Sequence, residues 1–197
     1  NKGVDYLVKK LESRNYKGVV GVNIGANKES KGDKRIADYV ECFKKVYVLS
    51  DYITINISSP NTPNLRDLHS KENIFNLLKS LDSQRQSFNT KKPVFLKISP
   101  DESPETLQII LDAVREFNIS GLILSNTTID KSLLQDKSFL NEAGGLSGEP
   151  LFNKSTQLVQ SIKQLDPSIP IIGVGGVIDK AGYVKKLDAG ADLVQIY

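Results

Sequence analysis

Several apolar segments of the chain end in side chains that could hold a ligand or move a proton. The clearest case is Asn56-Ile57-Ser58-Ser59-Pro60-Asn61-Thr62, where hydroxyl and carboxamide groups follow a β-branched run. Strand residues are normally selected for packing, so this change indicates a site rather than a core. The candidate residues at these segment ends are Asn23, Asn56, Ser59, Asn61, Lys97, Ser125, Asn126 and Thr127.

The candidate set contains amides, hydroxyls and one cation, and it contains no carboxylate. Amides pair a donor with an acceptor, which suits a planar heterocycle with carbonyl and N–H edges. Hard metal ions prefer carboxylate ligands. The single histidine, His69, lies just before a predicted helix, where a surface or capping role is its simplest interpretation. We therefore predict no metal site.

Lys97 lies within an otherwise apolar segment, and three roles remain open for it. Its long side chain could carry the ammonium group out to solvent. It could instead form a Schiff base, or lie beside an electron-rich cofactor ring.

The elements that would position these residues repeat along the chain. Six short apolar segments alternate with segments of helical periodicity, which predicts βα units and a parallel sheet. Polar residues follow every predicted strand, so we favour an α/β fold of the (β/α)8 TIM-barrel type over a doubly wound sheet, which concentrates ligand residues at one switch point. About six of the eight units are present. We expect residues 1–197 to be one barrel domain truncated at both ends.

Two glycine-rich turns indicate a phosphate site. One closes a loop of about 25 residues, a length that is usually functional, and contains Gly144, Gly145 and Gly148. The other, residues 173–176, lies at the end of the fifth predicted strand, residues 171–177, and late barrel strands bind phosphate through backbone N–H groups. With the amide groups, this favours FMN over pyridoxal phosphate. A Schiff-base lyase or aldolase using Lys97, and a non-catalytic barrel that binds a phosphorylated ligand, remain alternatives.

Composition excludes several other classes of protein. The chain has 197 residues, enough for one sizeable core, and its net charge of +3 comes from 26 basic and 23 acidic residues spread evenly. That balance argues against a nucleic-acid partner. A single cysteine excludes an internal disulfide framework, and no apolar run reaches the length of a transmembrane helix.

Seven motifs together resemble the dihydroorotate dehydrogenases, and they occur in the order of that family from one end of the chain to the other. They are residues 21–25, 56–62, 96–101, 125–128, 144–148, 172–177 and 193–197. The resemblance implies an FMN-dependent (β/α)8 barrel that oxidises dihydroorotate to orotate in pyrimidine biosynthesis. Ser59 stands where class 1 enzymes of the family have cysteine. The chain is therefore similar to class 2, whose members reduce a ubiquinone-type quinone.

The resemblance also implies a role for each candidate residue. Ser59 would remove the C5 proton while a hydride leaves C6 for the flavin, and Thr62 would relay the proton. The implied substrate-binding residues are Asn56, Ser59, Asn61, Asn126 and Thr127. The implied FMN-binding residues are Asn23, Asn56, Lys97, Ser125, Gly148, Gly176 and Tyr197. Class 2 membership further implies peripheral association with an inner membrane, mitochondrial or bacterial, through segments outside this chain.

Overall fold

The computed structural model describes residues 2–59, 68, 70–134 and 136–197. These residues form six strands: β1 (Gly21–Ile24), β2 (Tyr52–Asn56), β3 (Val94–Ile98), β4 (Gly121–Leu124), β5 (Ile171–Val174) and β6 (Leu193–Gln195). The helices are α1 (Val4–Glu12), α2 (Asp33–Val46), α3 (Lys71–Gln86), α4 (Pro104–Glu116), α5 (Phe152–Leu165) and α6 (Lys180–Asp188). Short 3₁₀ turns occupy Tyr47–Leu49, Lys131–Leu133, Lys137–Asn141 and Glu149–Leu151.

The six strands form one parallel sheet in which they lie in the order of the sequence, β1 to β6. A helix follows each of the strands β1 to β5. A doubly wound sheet reverses its strand order at a switch point, whereas a barrel keeps the order of the chain. The predicted parallel βα architecture with six units is therefore confirmed.

The main core lies between the sheet and the helices. Side chains alternate along each strand, and in β2 the two isoleucines Ile53 and Ile55 are fully buried, as are Tyr39 and Phe43 of α2. Full burial of one such side chain contributes about 1.5–3 kcal/mol. On the other face of β2 and β3, Thr54 is buried, whereas Asn56 and Lys97 near the carboxyl ends are half-buried.

Local sequence signals determine several helix starts. Ser103 accepts a hydrogen bond from the backbone N–H of Thr106 at 3.2 Å, and Pro104 takes the first position of α4. Asp179 likewise accepts from the N–H of Gly182 at 2.7 Å at the start of α6. In the described part of the chain, no helix is long and apolar enough to cross a membrane.

The strands are shorter than their apolar runs. The segment 171–177 reads as one strand in the sequence, but β5 ends at Val174 because Gly175 and Gly176 adopt positive φ angles of 112° and 71°. The long loop after β4 is partly ordered by its 3₁₀ turns and by a two-residue antiparallel bridge between Thr128 and Leu146.

Candidate active site at the carboxyl ends of the strands

The carboxyl ends of β2, β3 and β4 bring three candidate residues together. Asn56 is the last residue of β2, and the strand register places it directly opposite Lys97 of β3. From beyond the end of β4, the Nδ2 of Asn126 donates to the Oδ1 of Asn56 at 3.3 Å. Residues from separate βα units thus meet at one edge of the sheet.

Hydrogen bonds fix the orientation of the Asn56 carboxamide. Its Oδ1 accepts from the backbone N–H of Ser58 at 3.1 Å, and a backbone N–H can only donate. The amide NH₂ of Asn56 must therefore lie on the other side of the group, where its two hydrogens can meet an acceptor on a ligand. The hydroxyl of Tyr39 holds this strand end from the helix side by donating to the Asn56 carbonyl at 2.6 Å. Burial raises the pKa of Tyr39, so its hydroxyl remains protonated.

The Asn126 carboxamide is oriented in the same way. Its Oδ1 accepts from the backbone N–H of Thr127 at 2.9 Å, so its Nδ2 must point towards β2. There the Nδ2 also donates to the hydroxyl of Ser58 at 3.1 Å. The two carboxamides are consequently held in a single arrangement before any ligand binds, which lowers the entropic cost of recognition.

Ser58 is the residue at the centre of this arrangement, although it was not among the predicted site residues. It is fully buried, and its hydroxyl lies 3.1 Å from the Oδ1 of Asn56 and 3.0 Å from the Lys97 carbonyl. The signal that could have found it is local. An asparagine whose side chain accepts from the N–H two residues later forms an Asx turn, a frequent use of asparagine at the end of a strand.

Ser59, the predicted base, follows Ser58 and is half-buried. Two other predicted residues of this stretch, Asn61 and Thr62, lie outside the described residues, and so does His69.

Lys97 carries its ammonium group into a partly desolvated position. Burial lowers the pKa of Lys97 below its usual value, and none of the carboxylates in the described ranges forms an ion pair with it. A lysine placed only for solubility would extend into water and would keep its ordinary pKa. The environment of Lys97 instead favours a functional role, either as an amine or as a cation beside a ligand.

The remaining polar candidates of the sheet differ in their surroundings. Ser125 is buried, donates its hydroxyl to the Asn126 carbonyl at 2.9 Å, and is tied to β5 through the Val174 carbonyl at 3.1 Å. Thr127 is half-buried. Asn23 is exposed and lies opposite Thr54, two residues before the level of Asn56, and no hydrogen bond to the described residues joins it to the Asn56 group.

The glycine turn after β5 is shaped for a close backbone approach. A Cβ atom on Gly176 would lie 2.6 Å from the Cβ and 2.7 Å from the backbone nitrogen of Phe152, at the start of α5. The neighbouring strand β6 ends at Gln195, opposite Val174, and Tyr197 follows two residues later with a fully exposed side chain. Gly148 also has a positive φ, of 75°, and starts a turn leading into α5. Backbone N–H groups in such turns fit a phosphate.

An ion-pair network, absent from the sequence prediction, holds the long loop after β4. The Nζ of Lys154 in α5 lies 2.7 Å from a carboxylate oxygen of Asp101 and 3.3 Å from one of Asp130. Asp101 also accepts from the hydroxyl of Thr128 and, at 3.0 Å, from the backbone N–H of Ile129. The loop that carries Asn126 and Thr127 is therefore tied to both β3 and α5.

Comparisons with known proteins agree with this geometry. The family model described as Dihydroorotate dehydrogenase matches residues 1–197. A protein of Saccharophagus degradans named Dihydroorotate dehydrogenase (quinone) is 45% identical over 202 aligned positions, which cover all of this chain and 60% of the relative. A protein of the same name from Vibrio cholerae is 44% identical, with the same coverage.

A solved structure supports the fold. The crystal structure of ligand-free DHODH from Eimeria tenella superimposes with a TM-score of 0.90 at 30% identity, over 99% of this chain and 60% of that one. The chain thus spans about 60% of the length of the curated relatives and of this structure. Its six units form part of a (β/α)8 barrel, as the sequence predicted.

Proposed function

Because the chain belongs to the dihydroorotate dehydrogenase family, we propose that the protein carrying it oxidises dihydroorotate to orotate, with FMN as its cofactor and a quinone as the electron acceptor. The observation that carries this proposal is the pre-oriented pair of carboxamides, Asn56 and Asn126, beside the desolvated Lys97. These groups meet where a barrel places its active site.

The residues of the chain fit FMN. When bound, FMN supplies the acceptor for a hydride from the substrate. Lys97 favours negative charge next to the flavin ring, while Asn23, Asn56 and Ser125 provide polar contacts along it. The turns at Gly148 and Gly176 offer backbone N–H groups to the phosphate, and we assign Tyr197, two residues beyond the end of β6, to the same region.

The substrate is a pyrimidine ring with carbonyl, N–H and carboxylate groups. The Oδ1 of Asn56 is occupied by the Ser58 N–H, so the NH₂ of the same carboxamide is the group that can donate to a carbonyl or carboxylate oxygen of the substrate. Asn126 and Thr127 lie beside it on the loop after β4, and Asn61 completes the proposed set. Held in this way, the ring would present its C5 proton to Ser59.

Ser59 is the proposed base that removes the C5 proton as the C6 hydrogen leaves with its electron pair. A serine hydroxyl is a weak base at its ordinary pKa, so the proton must pass on. We assign that relay to Thr62. Ser59, where class 1 enzymes have cysteine, and the relatives named for quinone both favour a ubiquinone-type acceptor. A quinone acceptor is membrane-dissolved, so we propose peripheral association with an inner membrane.

The test is anaerobic reduction of the purified protein. We expect a yellow protein with an FMN spectrum that bleaches on addition of dihydroorotate and recovers its colour with a quinone. Ser59→Ala should retain its FMN and bleach about 10²–10⁴-fold more slowly, the usual contribution of a general base. A full-length protein that binds no flavin would contradict the proposal.

Burial lowers the pKa of Lys97, and this also favours one second candidate, a Schiff-base lyase or aldolase. Borohydride treatment in the presence of a carbonyl substrate distinguishes the two. A covalent adduct at Lys97 would support the lyase, and its absence from a protein that bleaches with dihydroorotate would exclude it.

A further inference from the structure

Lys186 of α6 is a fully buried lysine that contacts the first turn of α5. Its Nζ lies 2.6 Å from the hydroxyl of Ser155 and 3.5 Å from the Phe152 carbonyl, both in α5. The Nζ also lies 5.0 Å from the centre of the Phe152 ring. None of the described carboxylates forms an ion pair with Lys186, and burial lowers its pKa to about 8. A buried cation among neutral groups is costly, so its retention needs a reason.

The hydrogen bond from Lys186 determines what Ser155 does. The ammonium group can only donate, so the Ser155 oxygen accepts and its own hydrogen must go elsewhere. Two carbonyls are in reach, that of Phe152 at 3.0 Å and that of Gly175 at 3.1 Å. The Phe152 carbonyl already accepts from the Thr156 hydroxyl at 2.7 Å. The Gly175 carbonyl is therefore the group that gains most from the Ser155 hydrogen.

Holding the Gly175 carbonyl also orients the N–H of Gly176. The two groups belong to one peptide unit, which is planar and trans, so they point in opposite directions. With the carbonyl directed at Ser155 in α5, the Gly176 N–H is directed away from the helix. Both residues have positive φ angles, a conformation that glycine adopts with no Cβ to restrain it, so the peptide needs an external constraint.

We propose that Lys186 is a positioning residue for the phosphate of FMN. Through Ser155 it fixes the Gly175–Gly176 peptide with its N–H towards the phosphate, and its positive charge behind the turn favours a doubly charged anion. This inference rests on the proposed function, since it assigns the glycine turn to the FMN phosphate. It extends that function by making Lys186 and Ser155 determinants of the preference for FMN over riboflavin.

The test compares the two flavins, which share the ring and ribityl chain and differ in the phosphate. Full-length protein is stripped of flavin and titrated with FMN and with riboflavin. Lys186→Met keeps the length of the side chain and removes its charge and donors. We expect the affinity for FMN to fall at least tenfold and that for riboflavin to change less than twofold. The ³¹P resonance of bound FMN should shift as well.

Ser155→Ala is the second variant, since it breaks the same link and leaves the charge in place. It should lower FMN affinity at least threefold with riboflavin unchanged, even if Lys186→Met fails to fold. The double variant should lose no more than Lys186→Met alone, within twofold, because the two residues act in series. Lys163→Met is the matched control. Lys163 lies on α5, as Ser155 does, and its Nζ donates to the Ile169 carbonyl at 2.8 Å. That carbonyl precedes β5, whereas the glycine turn follows β5.

The possible outcomes distinguish a failure of this inference from a failure of the proposed function on which it rests. Loss of FMN binding alone in the Lys186 and Ser155 variants, with Lys163→Met unaffected, supports it. A parallel fall for both flavins, or no change for either, shows a merely structural Lys186 and overturns it while leaving the flavoenzyme intact. Unmodified protein that binds neither flavin overturns both.

Discussion

Replacing Ser58 by alanine tests whether the two carboxamides must be held in place to bind the pyrimidine. The Ser58 hydroxyl contacts the Asn56 Oδ1, the Lys97 carbonyl and the Asn126 Nδ2, at 3.0–3.1 Å. In Ser58→Ala the Lys97 carbonyl would still accept from the Ile57 N–H at 3.3 Å. The hydrogen bonds that matter are therefore those lost by the two carboxamides. Each carboxamide keeps another partner, because the Asn56 Oδ1 still accepts from the Ser58 N–H and from the Asn126 Nδ2.

The Asn126 Nδ2 would keep the Asn56 Oδ1 as an acceptor at 3.3 Å, so we take about 1 kcal/mol as the cost of losing its bond to Ser58, the usual net worth of one hydrogen bond. At ~1.4 kcal/mol for each factor of ten, this predicts roughly 5-fold weaker orotate binding. Orotate affinity can be measured from the change in flavin absorbance on titration, with FMN content checked separately. Urea unfolding gives the accompanying change in the free energy of unfolding.

Ser50→Ala provides the control for this experiment. Ser50 is also fully buried, lies just before β2, and donates to the Val46 carbonyl at 2.9 Å, but it is at the opposite end of the strand from Asn56. We expect it to lower the free energy of unfolding by about 1 kcal/mol, the usual worth of one such bond, with orotate affinity unchanged. If Ser58→Ala weakened orotate binding less than twofold, or only as much as Ser50→Ala, the pre-orientation argument would be refuted.

Two other predictions concern the glycine turn after β5 and the loss of stability at low pH. Gly176→Ala should lower the free energy of unfolding by more than 2 kcal/mol, roughly the strain of a positive φ plus a clash with Phe152, and abolish FMN binding. Gly32→Ala, with a φ of 53° and no heavy atom within 4 Å of the added Cβ, introduces backbone strain without a clash and should cost less than Gly176→Ala in urea unfolding; an equal cost would contradict the clash. The Ser168 hydroxyl and Arg115 hold the pKa of Asp166 below its usual value, so its contribution to stability is present above about pH 4 and is lost as the pH falls through the folded-state pKa. The Tm difference between wild type and Asp166→Asn should therefore shrink between pH 5 and about pH 2; a constant difference would refute the assignment.

The sequence was informative where structure depends on near neighbours. Apolar periodicity predicted the six βα units, and the caps at Ser103 and Asp179 follow from side-chain to backbone bonds within three residues. The barrel order predicted that Asn56, Lys97 and Asn126 would share an edge, because parallel strands end together. The contact between the two carboxamides could not be predicted in this way, since it depends on hydrogen bonds between residues as far apart as Ser58 and Asn126.

The same limit applies to α6. Its apolar residues Tyr183 and Val184 suggest a buried face, yet both are exposed, at 44% and 41%, while Lys186 is completely buried. Periodicity ranks a lysine as a surface residue because it counts hydrophobicity alone. The burial of Lys186 is made tolerable by Ser155 and Phe152, which lie 31 and 34 residues earlier in the chain. No pattern of neighbouring residues in the sequence could reveal contacts over that separation.

The first turn of α5 has a consequence for the dynamics of the protein. Phe152 and Ser155 pack against the glycine turn after β5. Lys154, between them in sequence, forms ion pairs with Asp101 and with Asp130 of the long loop after β4. One helical turn therefore fastens both segments, and they should open together as one cooperative unit. In native-state hydrogen exchange, the amides of residues 126–130 and 173–176 should share one opening free energy. Lys154→Met should lower that energy for both segments at once.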